Sequence, residues 1–510
     1  MKMVLDAEDI EKLRYLIGEE KVLTDKEDLY VYSFYGPLGM RRGRRPDVVV
    51  RVDSEREAEC VFKTLGDKAK IIYVWEEVEP AWKEPLVVLE PRNPFSFKDL
   101  KDGLKVLRKK REEGKPKVNV GNWRSVLEDR LINQILYTCK RCSSSEGASC
   151  RGFCTVAPFI DLGEAWSSRG RLLISRGLFE GELKASEKIM KILFTCTSCA
   201  QCYAQCGLDG IEISRAIIAA RRKLAEQGFI PDGAKKILRN VLRFGNPYGL
   251  PAEDRVWWME DLTNPPKQKA QVLYWAGCTV SYRLPEVALS TMEVLDRAGV
   301  EFTVLGEEEG CCGLILYLFG FWDEAKKNAL KVTETIRRTG AKTLVTGCAG
   351  CYYTFRRVFP EVLGVSLPLR VLHLSQFLEG LLPELVPELH GLSIKVTYHD
   401  PCDLGRHCGV YEPPRRLIRA VPGVELVEME LNREHGRCCG GGGGLWALDT
   451  EFAVKIAKSE LVEEVSPLGV DAVVTACPLC YTNLRYASEL GKVGVKVYDL
   501  AELLGRSMGM

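Results

Sequence analysis

Eighteen of the chain's twenty cysteines fall into four tight groups, and only Cys60 and Cys408 stand outside them. A disulfide framework in a chain of 510 residues has no reason to cluster in this way. The N-terminus carries no apolar stretch behind basic residues, so nothing there points to an oxidising compartment. Clustered thiols without export read as metal ligands. The fold must therefore bring sulfur atoms from separate segments to a few common points.

The most regular group is Cys196-Thr-Ser-Cys199-Ala-Gln-Cys202-Tyr-Ala-Gln-Cys206. In this C-x2-C-x2-C-x3-C run, three thiolates wrap one cubane [4Fe–4S] cluster and the fourth crosses to a second. Zinc sites more often use two separated C-x2-C knuckles. The partner run is irregular: Cys139-Lys-Arg-Cys142 is followed by seven residues before Cys150, and then by Cys154. The intervening Ser-Ser-Ser-Glu-Gly-Ala-Ser is polar and able to loop out, returning Cys150 to the cluster. Crossed ligation places Cys139, Cys142, Cys150 and Cys206 on one cluster, and Cys196, Cys199, Cys202 and Cys154 on the other. A zinc knuckle or an empty site is the plain alternative for the first run. Neither run is followed by the usual Pro, since Thr155 and Gly207 stand there.

From residue 269 the chain repeats itself. One unit opens with the strand Gln271–Ala276 before Cys278, carries Cys311-Cys312, and closes with Cys348-Ala-Gly-Cys351 after a strand at Thr343–Thr346. The other opens with Ile394–His399 before Cys402, carries Cys438-Cys439, and closes with Cys477-Pro-Leu-Cys480 after Ala472–Thr475. Matching positions are offset by 124, 127 and 129 residues, so the register holds with small insertions. Apolar stripes at Leu284, Ala288, Met292 and Leu295, and at Phe452, Val454, Ile456, Ala457 and Leu461, predict helices between the strands. The fold class is α/β multi-domain, with a helical two-cluster ferredoxin domain and two repeated α/β domains whose cysteines stand at strand ends. Expected boundaries are 1–115, 125–230, 269–385 and 392–510.

Five thiolates per repeat exceed what one tetrahedral zinc needs. Their pattern resembles the CCG cysteine-rich domain of heterodisulfide reductases, on Gly310-Cys-Cys-Gly313, Thr346-Gly-Cys-Ala-Gly-Cys-Tyr352, His399-Asp-Pro-Cys-Asp-Leu-Gly-Arg406 and Cys438-Cys-Gly-Gly-Gly-Gly-Gly444. Residues from roughly 125 to 505 look like the D subunit of heterodisulfide reductase and its relatives, which include iron–sulfur subunits of glycolate and lactate dehydrogenases. The resemblance implies a non-cubane [4Fe–4S] cluster on each complete set: Cys278, Cys311, Cys312, Cys348 and Cys351, then Cys402, Cys438, Cys439, Cys477 and Cys480. It also implies that the pair splits a disulfide by giving one electron to each sulfur. Zinc in one set is the plain alternative. We expect the chemistry at the second set, because its five glycines would leave a cluster face unshielded, with the first set as an inner store. His399 and His407 read as hydrogen-bonding or packed residues rather than ligands, and Cys60 and Cys408 as buried thiols.

The N-terminal segment looks like the opening of the FAD-binding domain of FAD-linked 2-hydroxyacid oxidases, on Val22-Leu-Thr-Asp-Lys-Glu-Asp-Leu-Tyr30 and Arg45-Pro-Asp-Val-Val-Val-Arg-Val-Asp-Ser54. A helix near Ala7–Ile17 and strands at Asp47–Val52 and Lys70–Val74 are expected there. Trp75-Glu-Glu-Val-Glu-Pro80 stands where a pyrophosphate-binding glycine loop belongs, so no FAD is expected. The 71 basic and 70 acidic side chains nearly cancel, which argues against nucleic acid. The most apolar tract, Leu314 to Trp322, is far short of the ~20 residues of a membrane span. The resemblance implies an oxidoreductase subunit, cytoplasmic or held at a membrane through a partner subunit, with a disulfide substrate and a flavoprotein or membrane cytochrome b-type partner. The alternative is an electron relay for an FAD-dependent glycolate or lactate dehydrogenase.

Overall fold

The computed structural model describes residues 7–32, 48–52, 70–73, 86–91, 154–160, 164–205, 212–262 and 264–509, with Leu5 and isolated positions between 57 and 65. Cys139, Cys142, Cys150 and Cys206 and the loop at 75–80 lie outside these residues. The chain divides into two compact units, Met1–Cys196 with Cys202–Phe229, and Thr197–Gln201 with Ile230–Met510.

In the first unit, α1 (Ala7–Ile17) buries Leu13 and Ile17, one turn apart, against Val22, Val48 and Val50. Strands β1 (Val22–Leu23), β2 (Val48–Val52), β3 (Lys70–Tyr73) and β4 (Leu86–Pro91) form one sheet in the order β1-β2-β4-β3. Only β1 runs antiparallel to its neighbour. The expected helix and both expected strands are present; β1 and β4 were not foreseen. Further along, α2 (Ser168–Phe179) and α3 (Glu187–Phe194) start at Ser167 and Ser186, whose side chains accept from Gly170 N and Ile189 N. A third helix, α4 (Ile213–Glu226), packs on α2 and α3. Tyr30 lies against Gly177 of α2, where a Cβ would fall 2.8 Å from its ring, and bonds Glu180 at 3.2 Å.

The second unit holds the repeats. The first has β5 (Val272–Tyr274), β6 (Phe302–Thr303), β7 (Thr343–Thr346) and β8 (Arg370–His373), all parallel, in the order β6-β5-β7-β8. The second has β9 (Ile394–His399), β10 (Val424–Leu426), β11 (Ala472–Thr475) and β12 (Lys496–Asp499), again parallel and in the matching order β10-β9-β11-β12. Parallel strands are covered on both faces and so read as continuous apolar runs. Leu344 and Val345, and Ala472 to Val474, are fully buried, each larger side chain contributing about 1.5–3 kcal/mol. The repeats meet where α5 (Pro285–Arg297) packs on the final helix, Leu500–Ser507, and Arg297 donates to Met508 O at 2.9 Å. The paired cysteine motifs begin shortly after strand ends: Cys278 after β5, Cys348 after β7, Cys402 after β9 and Cys477 after β11.

Candidate metal centres

In the first repeat all five thiols join one chain of sulfur contacts, running Cys278, Cys311, Cys312, Cys351, Cys348. Cys348 caps a short helix, Ala349–Tyr353, so the C-x2-C spacing puts both sulfurs at its N-terminal end, with Cys351 N donating to Cys348 Sγ at 3.5 Å. Gly313 N donates to Cys311 Sγ at 3.3 Å and Thr354 Oγ1 to Cys312 Sγ at 3.7 Å. These donors favour sulfur as thiolate. Hydrogen bonds from Cys311 and Cys351 hold Cys312 well below the usual thiol range. Cys278 is lowered by its bond with Cys311 and then by Arg255, whose Nη2 lies 3.7 Å from Sγ. Arg255 also pairs with buried Glu309 at 2.8 Å, and Glu309 accepts from Ala276 N and Gly277 N, fixing the loop before Cys278.

The second repeat has the same order of contacts: Cys402, Cys438, Cys439, Cys480, Cys477. Bonds from Cys438 and Cys480 bring Cys439 down to about 6. Cys199, expected on a cubane, packs against this set beside Cys402 and Cys438. Its loop carries Ser198 at φ 54° and Ala200 at φ 57°, left-handed conformations that non-glycine residues rarely adopt. Arg406 Nε donates to Cys199 O at 2.7 Å, and His407 Nε2 donates to Ser198 O at 2.9 Å while stacking on Tyr353. His407 is thus a packed, hydrogen-bonding residue, as expected. Buried Arg415 grips Asp400 through two bonds of 2.7 and 2.8 Å and holds the loop before Cys402.

The glycine run does not open a cluster face. Gly440, Gly441, Gly443 and Gly444 are buried, and a Cβ at Gly440 would come within 2.7 Å of Ile456, at Gly442 within 2.8 Å of Thr197 O, and at Gly444 within 2.1 Å of Phe319. The glycines are there because protein packs on them, which corrects the reading drawn from the sequence. The two sets lie side by side: a Cβ at Gly350, between Cys348 and Cys351, would fall 3.4 Å from a carboxylate oxygen of Asp403, the neighbour of Cys402.

In the first unit, Cys154, Cys196 and Cys202 are half-buried. Two fully buried arginines accompany them. Arg171 reaches Cys154 Sγ at 3.6 Å and Thr195 Oγ1 at 2.8 Å; Arg221 donates to Cys196 O at 2.6 Å and Leu193 O at 2.8 Å. Burial lowers the Arg221 guanidinium to about 10. Sequence reasoning missed these arginines and Arg255, because arginine on a helix ordinarily reads as a solvated face. Cys60 and Cys408 are half-buried rather than buried, and burial still pushes the Cys408 thiol up to about 12.

Comparison with known proteins accords with this geometry. The CCG family, described as Cysteine-rich domain, matches residues 272–356 and 396–485. The D subunit of the dihydromethanophenazine:CoB–CoM heterodisulfide reductase of Methanosarcina acetivorans is 36% identical over 326 residues, 62% of this chain and 78% of that protein. The chain belongs to the family of heterodisulfide reductase D subunits. It is an iron–sulfur oxidoreductase subunit of that type, and the donor set fits: buried sulfurs in two matched sets, with backbone and hydroxyl donors aimed at them. More distant relatives are the probable iron-sulfur-binding oxidoreductase FadF of Bacillus subtilis, 31% identical over 62% of this chain and 46% of that protein, and the EtfAB:quinone oxidoreductase of Syntrophomonas wolfei, 29% identical over the same shares. Among the described residues no helix is long and apolar enough to cross a membrane.

Proposed function

We propose that this subunit carries electrons through two cubane clusters, held by the eight cysteines between 139 and 206, to a non-cubane cluster on each five-cysteine set, where a disulfide and two thiols interconvert. The observation that carries the reading is the convergence of two complete, identically ordered cysteine sets within one unit, where a Cβ at Gly350 of one set would fall 3.4 Å from a carboxylate oxygen of Asp403 of the other. The chemistry that such a pair supplies when bound is one-electron exchange with each of two sulfur atoms. The chain's own residues supply the rest. Arg255 and Arg406 place positive charge against Cys278 and against Cys199, Cys402 and Cys438, offsetting the negative charge of a thiolate-bound centre. Glu309 and Asp400 fix the loops that present Cys278 and Cys402.

A relay reading is favoured by the similarity to the EtfAB:quinone oxidoreductase. In that version a flavin dehydrogenase acting on a 2-hydroxyacid is the donor, and a quinone or a membrane cytochrome b-type subunit takes the electrons. The two readings separate in one experiment. Anaerobically purified protein, reduced by a viologen dye, should be reoxidised by the CoB–CoM heterodisulfide named in its relative, or by another mixed disulfide, and should release no flavin on denaturation. Reoxidation by a quinone analogue alone would leave only the relay.

A further inference from the structure

His399, at the end of β9, is 1% exposed, and its Nδ1 lies 2.6 Å from a carboxylate oxygen of Glu460, itself 1% exposed. On the other side of the ring Nε2 has no hydrogen-bond partner among the described residues. One ring nitrogen of His399 and the sulfurs of Cys439 and Cys480 all lie within 4.8 Å of one another. With Nδ1 engaged by Glu460, Nε2 is the nitrogen left for a metal. A carboxylate that accepts the Nδ1 proton fixes the tautomer and leaves the Nε2 lone pair oriented, which is how metal-binding histidines are held.

The first repeat supplies an internal control. Tyr274 pairs with Val345 and Tyr398 with Val474, so Trp275 stands where His399 stands in the second repeat. Along the helices Trp322–Thr339 and Thr450–Glu460, buried Ala325 and Ala329 match Ala453 and Ala457, so Val332 stands where Glu460 stands. Trp275 Nε1 also lacks a partner among the described residues, but an indole N–H only donates and cannot ligate. Val332 cannot orient a ring.

We propose that His399 Nε2 is a nitrogen ligand to iron at the second repeat, oriented by Glu460, so that the second centre has mixed nitrogen and sulfur coordination while the first is all sulfur. This departs from the packed role that the sequence suggested for His399, and it rests on the reading that the repeats hold iron–sulfur clusters.

The test uses full-length protein purified without oxygen, reduced stepwise, and studied by pulsed EPR with natural-abundance and 15N-histidine samples. One paramagnetic centre should show a strongly coupled nitrogen that changes with the isotope. His399→Ala should abolish that coupling, leaving the other signals in place. Glu460→Gln should keep the coupling but alter its size. Where His399→Ala does not accumulate, the labelled native protein answers alone. Iron at the second repeat without a strongly coupled nitrogen overturns the inference and leaves the cluster reading intact. Iron amounting only to the two cubanes in the native protein, showing none at the repeats, overturns both.

Discussion

A guanidinium removed from water costs several kcal/mol unless it is paired, and breaking such a buried pair costs about 3–5 kcal/mol because the surviving charge is stranded. Arg255 and Glu309 are each 3% exposed and form such a pair against Cys278. Arg255→Leu should therefore lower the urea midpoint of the anaerobic protein substantially, and adding Glu309→Gln should recover part of the loss by removing the stranded carboxylate. A double variant less stable than Arg255→Leu alone would contradict this account. None of it was legible beforehand: Glu253-Asp-Arg255 reads as a solvated charge run, and only the fold brings Arg255 to Cys278. The cysteines were legible because metal-binding spacing is local geometry. The glycine run read as an unshielded cluster face, but a missing side chain leaves room for a ligand or for neighbouring protein alike. Phe319 and Thr197, distant in sequence, decide for protein.

At the scale of elements, corresponding corners of the repeats are built alike and titrate in opposite senses. His373 ends β8 and Asp499 ends β12, and each caps the next helix through a capping box with Gln376 or Glu502. Burial lowers His373 from 6.5 to about 4, so its contribution to stability is present above 6.5 and is lost as pH falls through 4. Burial raises Asp499 from 3.8 to about 8, so its contribution is present below 3.8 and is lost as pH rises through 8. Asp499→Asn keeps the acceptor for Ala501 N without a charge to bury. The variant should gain stability relative to the native protein between pH 5.5 and 8.5, seen in paired urea midpoints; a constant difference across that range would refute the assignment. The sequence showed the central strands because they are continuous apolar runs. Edge strands as short as Phe302–Thr303 carry no such signal. The stripe Leu284, Ala288, Met292, Leu295 is buried as read, whereas Phe452 and Val454 are half-buried and the covered face turns toward Ala453, Ile456 and Glu460. A buried glutamate on an apolar face defeats periodicity, which counts it as solvent.

At the scale of the whole molecule, the sequence suggested unequal repeats, with chemistry at the second set and storage at the first. The packing removes the reason for that ranking, since the glycines are covered, and it adds a reason for joint action, since the two cysteine sets share one order of contacts and lie side by side at Gly350 and Asp403. A disulfide has two sulfurs, and chemistry that gives one electron to each needs both centres at once. Cys439→Ser and Cys312→Ser should then each cut disulfide turnover by at least about 100-fold, and the double variant should be no worse than either, because residues that act as a unit are not additive. The cubane signals should stay reducible in all three proteins, since their eight cysteines are untouched. The measurement is disulfide-dependent reoxidation of viologen beside EPR of the reduced protein. If Cys312→Ser keeps more than about a tenth of native turnover, a loss of under 1.4 kcal/mol in transition-state stabilisation, the first set is not part of the reaction and the chemistry returns to the second repeat alone.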